Sequence, residues 1–282
     1  MNLAIRYAAN YRYDATASLS PHVARLLPRQ DLFVRSQRTE FSTNPGAKVQ
    51  YRQDLFDNLI ARCFYPNPVD ALEFRLELDL HLTERNAFDF LLDPHVLTLP
   101  FAYEAAEARV LGPYLLTAGT EEFPESLRPV PTPRPTLDTL LAMNLWLHTH
   151  IDYERREEGD AYASAETLRL ERGSCRDFAV LFADVLRAHG VATRLASGFL
   201  WEDDSAVAPR RAENAMHAWV EAYLPGAGWL GFDPTNGVLC DHHYIVTAVG
   251  LAPRDISPVS GHYYGNQPIA SALDATLTIT PI

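Results

Sequence analysis

The chain has 282 residues, more than one domain usually holds, and its 47% hydrophobic, 11% aromatic and 21% charged residues make a globular composition that excludes large-scale disorder. A formal net charge of −12 repels phosphate backbones and anionic lipid, which argues against nucleic acid as a partner. The start, Met1-Asn2-Leu3-Ala4-Ile5-Arg6-Tyr7, lacks a basic stretch leading into an apolar run, and no segment approaches the ~20 apolar residues of a membrane helix. Cys63, Cys175 and Cys240 are odd in number and widely spaced, which suits a reducing compartment, so a soluble cytoplasmic protein without membrane contact is expected.

Residues 1–120 read as a β-sandwich. Leu72, Phe74, Leu76, Leu78, Leu80 and Leu82 alternate with Glu73, Arg75, Glu77, Asp79 and His81, the pattern of a strand with one buried face. Lys48 to Tyr65 adds strand material, bounded by turn chemistry at Asn44-Pro45-Gly46 and Pro66-Asn67-Pro68. Each such strand needs a second sheet over its apolar face. Residues 121–135 carry Pro124, Pro129, Pro131, Pro133 and Pro135, which no helix or inner strand tolerates, and read as a linker or a rigid surface loop. From 136 to 282 the pattern becomes α+β: Leu137, Leu140, Leu141, Leu145 and His148 fall at helical spacing behind Thr136, an acceptable N-cap.

The next helix carries chemistry. Phe178, Leu181, Phe182, Val185 and Leu186 form one apolar face, and His189-Gly190 closes it. Ser174 is its N-cap and Asp177 stands three residues later, close to a capping box, so Cys175 falls in the first turn. There the free backbone N–H groups and the helix dipole favour a thiolate. A cysteine that only packs has no reason to be at this end. His189, in the last turn, reads as a structural imidazolium suited to the dipole.

A thiolate nucleophile needs a histidine to hold it and to protonate the leaving amine. His217 stands in Ala215-Met216-His217-Ala218-Trp219-Val220-Glu221-Ala222-Tyr223-Leu224, an alternating strand, followed by the turn Pro225-Gly226-Ala227-Gly228 and the short strand Trp229-Leu230-Gly231-Phe232-Asp233. Pairing symmetric about Pro225 sets His217 opposite Asp233, with Cβ atoms about 4.5–5.5 Å apart, close enough for a carboxylate to hold the imidazole tautomer. The bland alternative is a half-buried strand histidine and an aspartate capping its own turn.

Together, Gly173-Ser174-Cys175-Arg176-Asp177-Phe178-Ala179, His217-Ala218-Trp219-Val220-Glu221 and Gly231-Phe232-Asp233-Pro234-Thr235-Asn236-Gly237 closely resemble the Cys, His and Asp blocks of the bacterial transglutaminase-like superfamily. The likeness covers roughly 135 to 265. The first half is similar to the β-sandwich preceding this core in many bacterial members, through Leu99-Pro100-Phe101-Ala102-Tyr103 and Leu111-Gly112-Pro113-Tyr114-Leu115. One departure follows Gly250, where the family often has Arg-Asp-Tyr and this chain has Leu251-Ala252-Pro253 before Arg254-Asp255. The resemblance implies a papain-like core with Cys175, His217 and Asp233 as catalytic triad, no metal or organic cofactor, and a peptide or protein substrate. It also implies an association with ATP-grasp ligase-like proteins, as in some relatives.

Acting as a hydrolase of amide, peptide or isopeptide bonds is the expectation. An amine-transferring transglutaminase, or a catalytically silent peptide-binding module of the same fold, is the alternative. The Cys175 backbone N–H is one expected oxyanion donor, and Tyr162 is the candidate for a second from a side chain. Trp219 and Trp229 are candidates for lining the groove, with packing around the hairpin as the plainer role. Cys240, His242, His243 and His262 are set aside as a zinc site because Cys-x-His-His lacks a structural-zinc spacing.

Overall fold

The computed structural model describes residues 1–117, 122–129, 131–156, 159–202 and 215–282. Its first strands are β1 (Asn2–Leu19), β2 (His22–Ala24), β3 (Val34–Thr43), β4 (Lys48–Gln53), β5 (Leu59–Phe64) and β6 (Val69–Leu82). In β6 the apolar alternation is the burial pattern, every residue from Leu72 to Leu82 at even number being inside. β1 and β3 pair antiparallel with its two edges, with Leu3 opposite Leu80 and Phe41 opposite Leu76. β2, β5 and β4 form a second sheet, and Ala24, Leu26, Leu27, Ala61 and Cys63 join the apolar face of the first in one core. Burying a side chain such as Leu78 or Phe74 contributes about 1.5–3 kcal/mol.

Regular strand ends at Leu82, short of the expected 120. Leu92, Leu99 and Phe101 pack instead on a second core, in a strap that contains β7 (Thr98–Leu99) and α1 (Ala105–Leu111). The proline segment docks there too: Phe123 and Leu127 are buried, and β8 (Arg134–Pro135) pairs with β7. Glu121 and Val130 lie outside the described residues. Next comes α2 (Thr136–His150), where Thr136 is the first helical residue rather than the cap. Its hydroxyl donates to the Val96 carbonyl at 2.6 Å, tying the helix to the strap.

The second core is built by β9 (Asp152–Tyr153), α3 (Ser164–Leu170), β10 (Arg172–Gly173), α4 (Cys175–Ala188), β11 (Thr193–Leu200), β12 (Ala215–Leu224), β13 (Gly228–Asp233), β14 (Val238–Leu239) and β15 (Tyr244–Gly250). An antiparallel sheet runs in the order β14-β13-β12-β11-β15. α4 lays Phe178, Leu181, Phe182, Val185 and Leu186 against Ala218, Val220, Ala222 and Leu224 on one face. On the other, Ala196, Leu200, Trp219, Tyr244 and Val249 cluster with Cys240 and with Phe56 of the N-terminal half, so this sheet is covered on both sides, while Phe199, Trp201 and Ile245 join the core of the N-terminal sheets. Its β15 edge is closed as well. The Asn58 side chain accepts from the Val249 N–H and donates to the Val249 carbonyl, both at 2.8 Å, and the Arg29 N–H donates to the Val246 carbonyl at 2.8 Å.

After α5 (Pro253–Ile256) the chain crosses back. β16 (Val259–Ser260) pairs with β2, while β17 (Tyr263–Tyr264) and β18 (Ser271–Pro281) pair with β1, from Ser18↔Tyr264 to Leu3↔Pro281. The expected division at 136 is therefore crossed by the last strands. Among the described residues, no helix is long and apolar enough to cross a membrane.

Candidate active site

Cys175 is the first residue of α4 and is half-buried. The start of the helix is fixed by Asp177, whose Oδ2 accepts from the Ser174 N–H at 2.6 Å and from the Ser174 hydroxyl at 2.8 Å. Asp177 Oδ1 accepts from the Tyr162 N–H and from Arg156, each at 2.6 Å. Gly173 permits this approach, since a Cβ there would stand 2.7 Å from that of Asp177. Arg176 adds two bonds, to the carbonyls of Gly159 and Arg156, so the segment before α3 is latched to the helix that carries the thiol.

The hairpin that carries His217 and Asp233 pairs Val220 with Phe232, Glu221 with Gly231 and Leu224 with Gly228. It is thus symmetric about Gly226, two residues off the pairing expected about Pro225. A strand repeats every two residues, so this shift leaves each side chain on its face. His217 and Asp233 become diagonal rather than direct neighbours, a span an imidazole can bridge. His217 Nε2–H donates to Asp233 Oδ2 at 2.8 Å, with both side chains out of contact with solvent. Opposite His217, β11 places Gly198 beside a bulge, and a Cβ on Gly198 would collide with the Ile245 carbonyl.

Asp233 is saturated with donors. Its Oδ1 accepts the N–H groups of Thr235 and Asn236 at 2.9 and 3.3 Å, and its Oδ2 accepts Asn236 Nδ2 and the Tyr244 hydroxyl at 2.7 Å each, besides His217. Burial raises its pKa, but His217, Tyr244 and Asn236 outweigh this and hold it below the ordinary carboxylate value. His217 is driven the other way: burial disfavours the imidazolium, and Asp233 with Cys175 more than restores it. Burial opposes ionisation of Cys175 too, yet His217, the Ala218 backbone and Arg176 bring its pKa down. The His217 Nδ1 is buried without an aligned hydrogen bond and is the nitrogen left for the thiol, the looser contact common before substrate binds.

Residues 127–234 match the transglutaminase-like superfamily, and residues 3–80 match the bacterial transglutaminase-like N-terminal region. The chain thus carries a transglutaminase-like core behind a bacterial transglutaminase-like N-terminal region. An uncharacterized protein of Mycobacterium leprae is 35% identical over 141 residues, 50% of this chain and 49% of that protein. One from Mycobacterium bovis is 32% identical over 153 residues, 52% of this chain and 48% of that protein. The chain therefore spans about half the length of these relatives. A crystal structure of a candidate cysteine protease from Cytophaga hutchinsonii shares the fold, with a TM-score of 0.71 at 15% identity over 100% of this chain and 91% of that one. The match of the core together with the cysteine at the helix start supports a cysteine-dependent enzyme.

Within this transglutaminase-like core, several side chains have places that their sequence positions do not announce. Tyr162 lies under the Arg156 guanidinium, 3.9 Å from ring centroid to Cζ, and it is Tyr153 that couples electrostatically to Cys175 and Asp233. The Tyr153 phenol is pushed up to about 12, first by burial and then by Cys175. β9 explains its position: Tyr153 pairs with Gly173, two residues before the thiol. His148 Nδ1–H donates to the Thr235 carbonyl at 2.8 Å and braces the Asp233 turn from α2. Tyr244 and Asn236 were equally silent in the sequence, although Asn236 lies inside the family's Asp block.

Trp219 and Trp229 line a cavity of about 230 Å³ with Arg194, Glu221, Cys240, Asp241 and Tyr244; Cys175 is not part of its wall. Trp219 is fully buried, and Trp229 is stacked under Arg194, which pairs with Glu221 at 2.6 Å. His189 differs from its expected role as an imidazolium, because burial lowers its pKa while Nε2 bonds the Leu127 carbonyl at 3.1 Å.

Proposed function

We propose that the protein is a cysteine-dependent hydrolase of amide, peptide or isopeptide bonds, with Cys175 as nucleophile, His217 as proton shuttle and Asp233 as the group that orients it. The observation carrying this reading is the chain of contacts from a thiol at a helix start, through His217, to a carboxylate holding five donors. The Cys175 thiolate attacks the substrate carbonyl and a C–S bond forms. The oxyanion that develops is met by the Cys175 backbone N–H, with the Tyr153 hydroxyl as the side-chain donor in place of Tyr162. Collapse expels the amine, which takes the proton from His217 Nδ1, and leaves a thioester. Water then attacks the thioester, giving its proton to His217, and collapse releases the acid and restores the Cys175 thiolate beside the imidazolium.

Cys175 is partly exposed, which gives water access to the thioester and favours hydrolysis over transfer to an amine. A peptide or protein chain is the proposed substrate, the cytoplasm the proposed location in keeping with three free cysteines, and ATP-grasp ligase-like proteins the proposed partners. The test is incubation with glutamine-containing and isopeptide-linked peptide libraries, with and without excess primary amine. Hydrolysed product from wild type, and a loss of about 10⁴-fold or more in Cys175→Ala, is expected. Predominantly amine-linked product would overturn the hydrolase reading and leave the nucleophile in place; equal turnover by Cys175→Ala would remove the nucleophile.

A further inference from the structure

Between β14 and β15 the chain runs Cys240-Asp241-His242-His243. Asp241 folds this loop onto itself. Its Oδ1 accepts the His243 N–H at 2.9 Å and lies 2.8 Å from His243 Nδ1, while the Tyr244 N–H donates to its carbonyl at 3.2 Å. The two imidazole rings stand 4.3 Å apart at 33°, and His243 stacks on Trp201 at 5.0 Å and 18°. The Trp201 N–H also donates to the His243 carbonyl at 3.0 Å, so the outer ring is fixed from both sides. One donor atom from each of Asp241, His242 and His243 lies within 4.8 Å of the other two. His242 Nδ1 is shielded from solvent and has no hydrogen-bond partner, a state that buried imidazole nitrogens rarely keep.

We propose that Asp241, His242 and His243 form a binding site for one divalent transition-metal ion of the Zn²⁺ class. Two imidazole nitrogens and a carboxylate oxygen are donors such ions take readily, whereas Ca²⁺ and Mg²⁺ prefer oxygen alone. Metal–ligand bonds of about 2.0–2.2 Å put tetrahedral donors roughly 3.3–3.6 Å apart, so small side-chain rotations close a set that is already gathered. Three ligands from a single loop leave a fourth position. Asp241 and His242 both line the 230 Å³ cavity, which supplies water or a small ligand there. This ligand set differs from the one weighed in the sequence: the Cys240 sulfur would stand 3.0 Å from a Cβ on Gly231, packed in an apolar cluster, and His262 lies on the N-terminal sheets, its N–H bonded to Ser20.

The test uses the full chain with Cys175→Ala, because a thiolate beside His217 could itself take up metal. Zn²⁺ added to this protein after chelation and desalting is followed by calorimetry, and Co²⁺ serves as the spectroscopic probe. One Zn²⁺ per chain is expected, weakened about tenfold or more by His242→Ala and by Asp241→Asn added to the same background. The Co²⁺ form is expected to show two hyperfine-shifted imidazole N–H signals, a readout that does not require the loop variants to fold. Absence of Zn²⁺ binding, binding unchanged by both substitutions, or a Co²⁺ form without two imidazole signals would each overturn the site.

Discussion

β6 and β12 are both inner strands of antiparallel sheets, yet they are buried in different ways. In β6 the even-numbered residues from Leu72 to Leu82 are inside, while Arg75, Glu77 and His81 face water. In β12 every residue from His217 to Ala222 is buried, because α4 covers one face and Phe56 of the N-terminal half packs on the cluster of the other. A strand wet on one side can leave its polar groups to solvent. One covered on both sides must find protein partners for them, and His217 with Asp233 and Glu221 with Arg194 are those partners. Removing water also strengthens each of these interactions, which suits the doubly covered sheet to the proposed chemistry.

The largest effect expected from this difference comes from truncating one anchor in each region. Phe74→Ala empties the sandwich core, and Asp233→Ala leaves His217, Tyr244 and two backbone N–H groups without their acceptor. Each should cost about 3–5 kcal/mol in urea denaturation. Only Asp233→Ala should slow alkylation of Cys175 at neutral pH. A loss under about 1 kcal/mol for Asp233→Ala would show that the carboxylate is not the hub its donors suggest.

The pH dependence is the next sharpest contrast. Alkylation of Cys175 should proceed well below the pH of about 8.5 at which an ordinary thiol ionises, and His217→Ala should move that limb upward, since burial alone raises the thiol pKa. In stability, His217 carries a raised pKa, so its contribution is complete below 6.5 and fades as pH rises through about 10. Asp233 carries a lowered one, so its contribution is complete above 3.8 and fades as pH falls through the depressed value. Wild type should therefore lose stability at both extremes relative to His217→Ala. Parallel stability profiles for the two proteins would exclude the ion pair.

The same contrast decides what could be read from the chain. Single-sided burial writes itself as alternation, so β6 and the sandwich were legible, and the capped helix start at Ser174-Cys175 was legible because caps are local. The hairpin face was legible although its register was not: the loop is centred on Gly226, and a shift of two residues leaves no trace in an alternating pattern. Tyr244, His148 and Tyr153 were missed because their roles arise from tertiary approach, Tyr244 reaching Asp233 across 11 residues and His148 reaching Thr235 across 87. The return of β18 to β1 was hidden for the same reason. Nothing local in Ser271–Pro281 names Asn2–Leu19 as its partner.

The smallest effect tests whether double cover changes the worth of a single hydroxyl. Tyr244 donates to Asp233 Oδ2 at 2.7 Å inside the doubly covered sheet, and its ring packs edge-on to Trp219 at 5.3 Å, so Tyr244→Phe removes one donor and leaves the packing in place. Tyr65 offers the matching deletion in the sandwich, where its hydroxyl meets Thr43 Oγ1 at 2.9 Å in a partly buried neutral pair. A hydrogen bond to a charged acceptor is worth about 1.5–3 kcal/mol and a neutral one about 0.5–1.5 kcal/mol, so Tyr244→Phe should lower stability more than Tyr65→Phe. Four other donors remain on Asp233, which keeps the loss well short of that for Asp233→Ala. Urea denaturation of the two variants side by side makes the comparison. Equal losses would mean that covering both faces of the sheet adds nothing to the strength of the bonds within it, and that Asp233 owes its charge state to its other donors, His217 and Asn236.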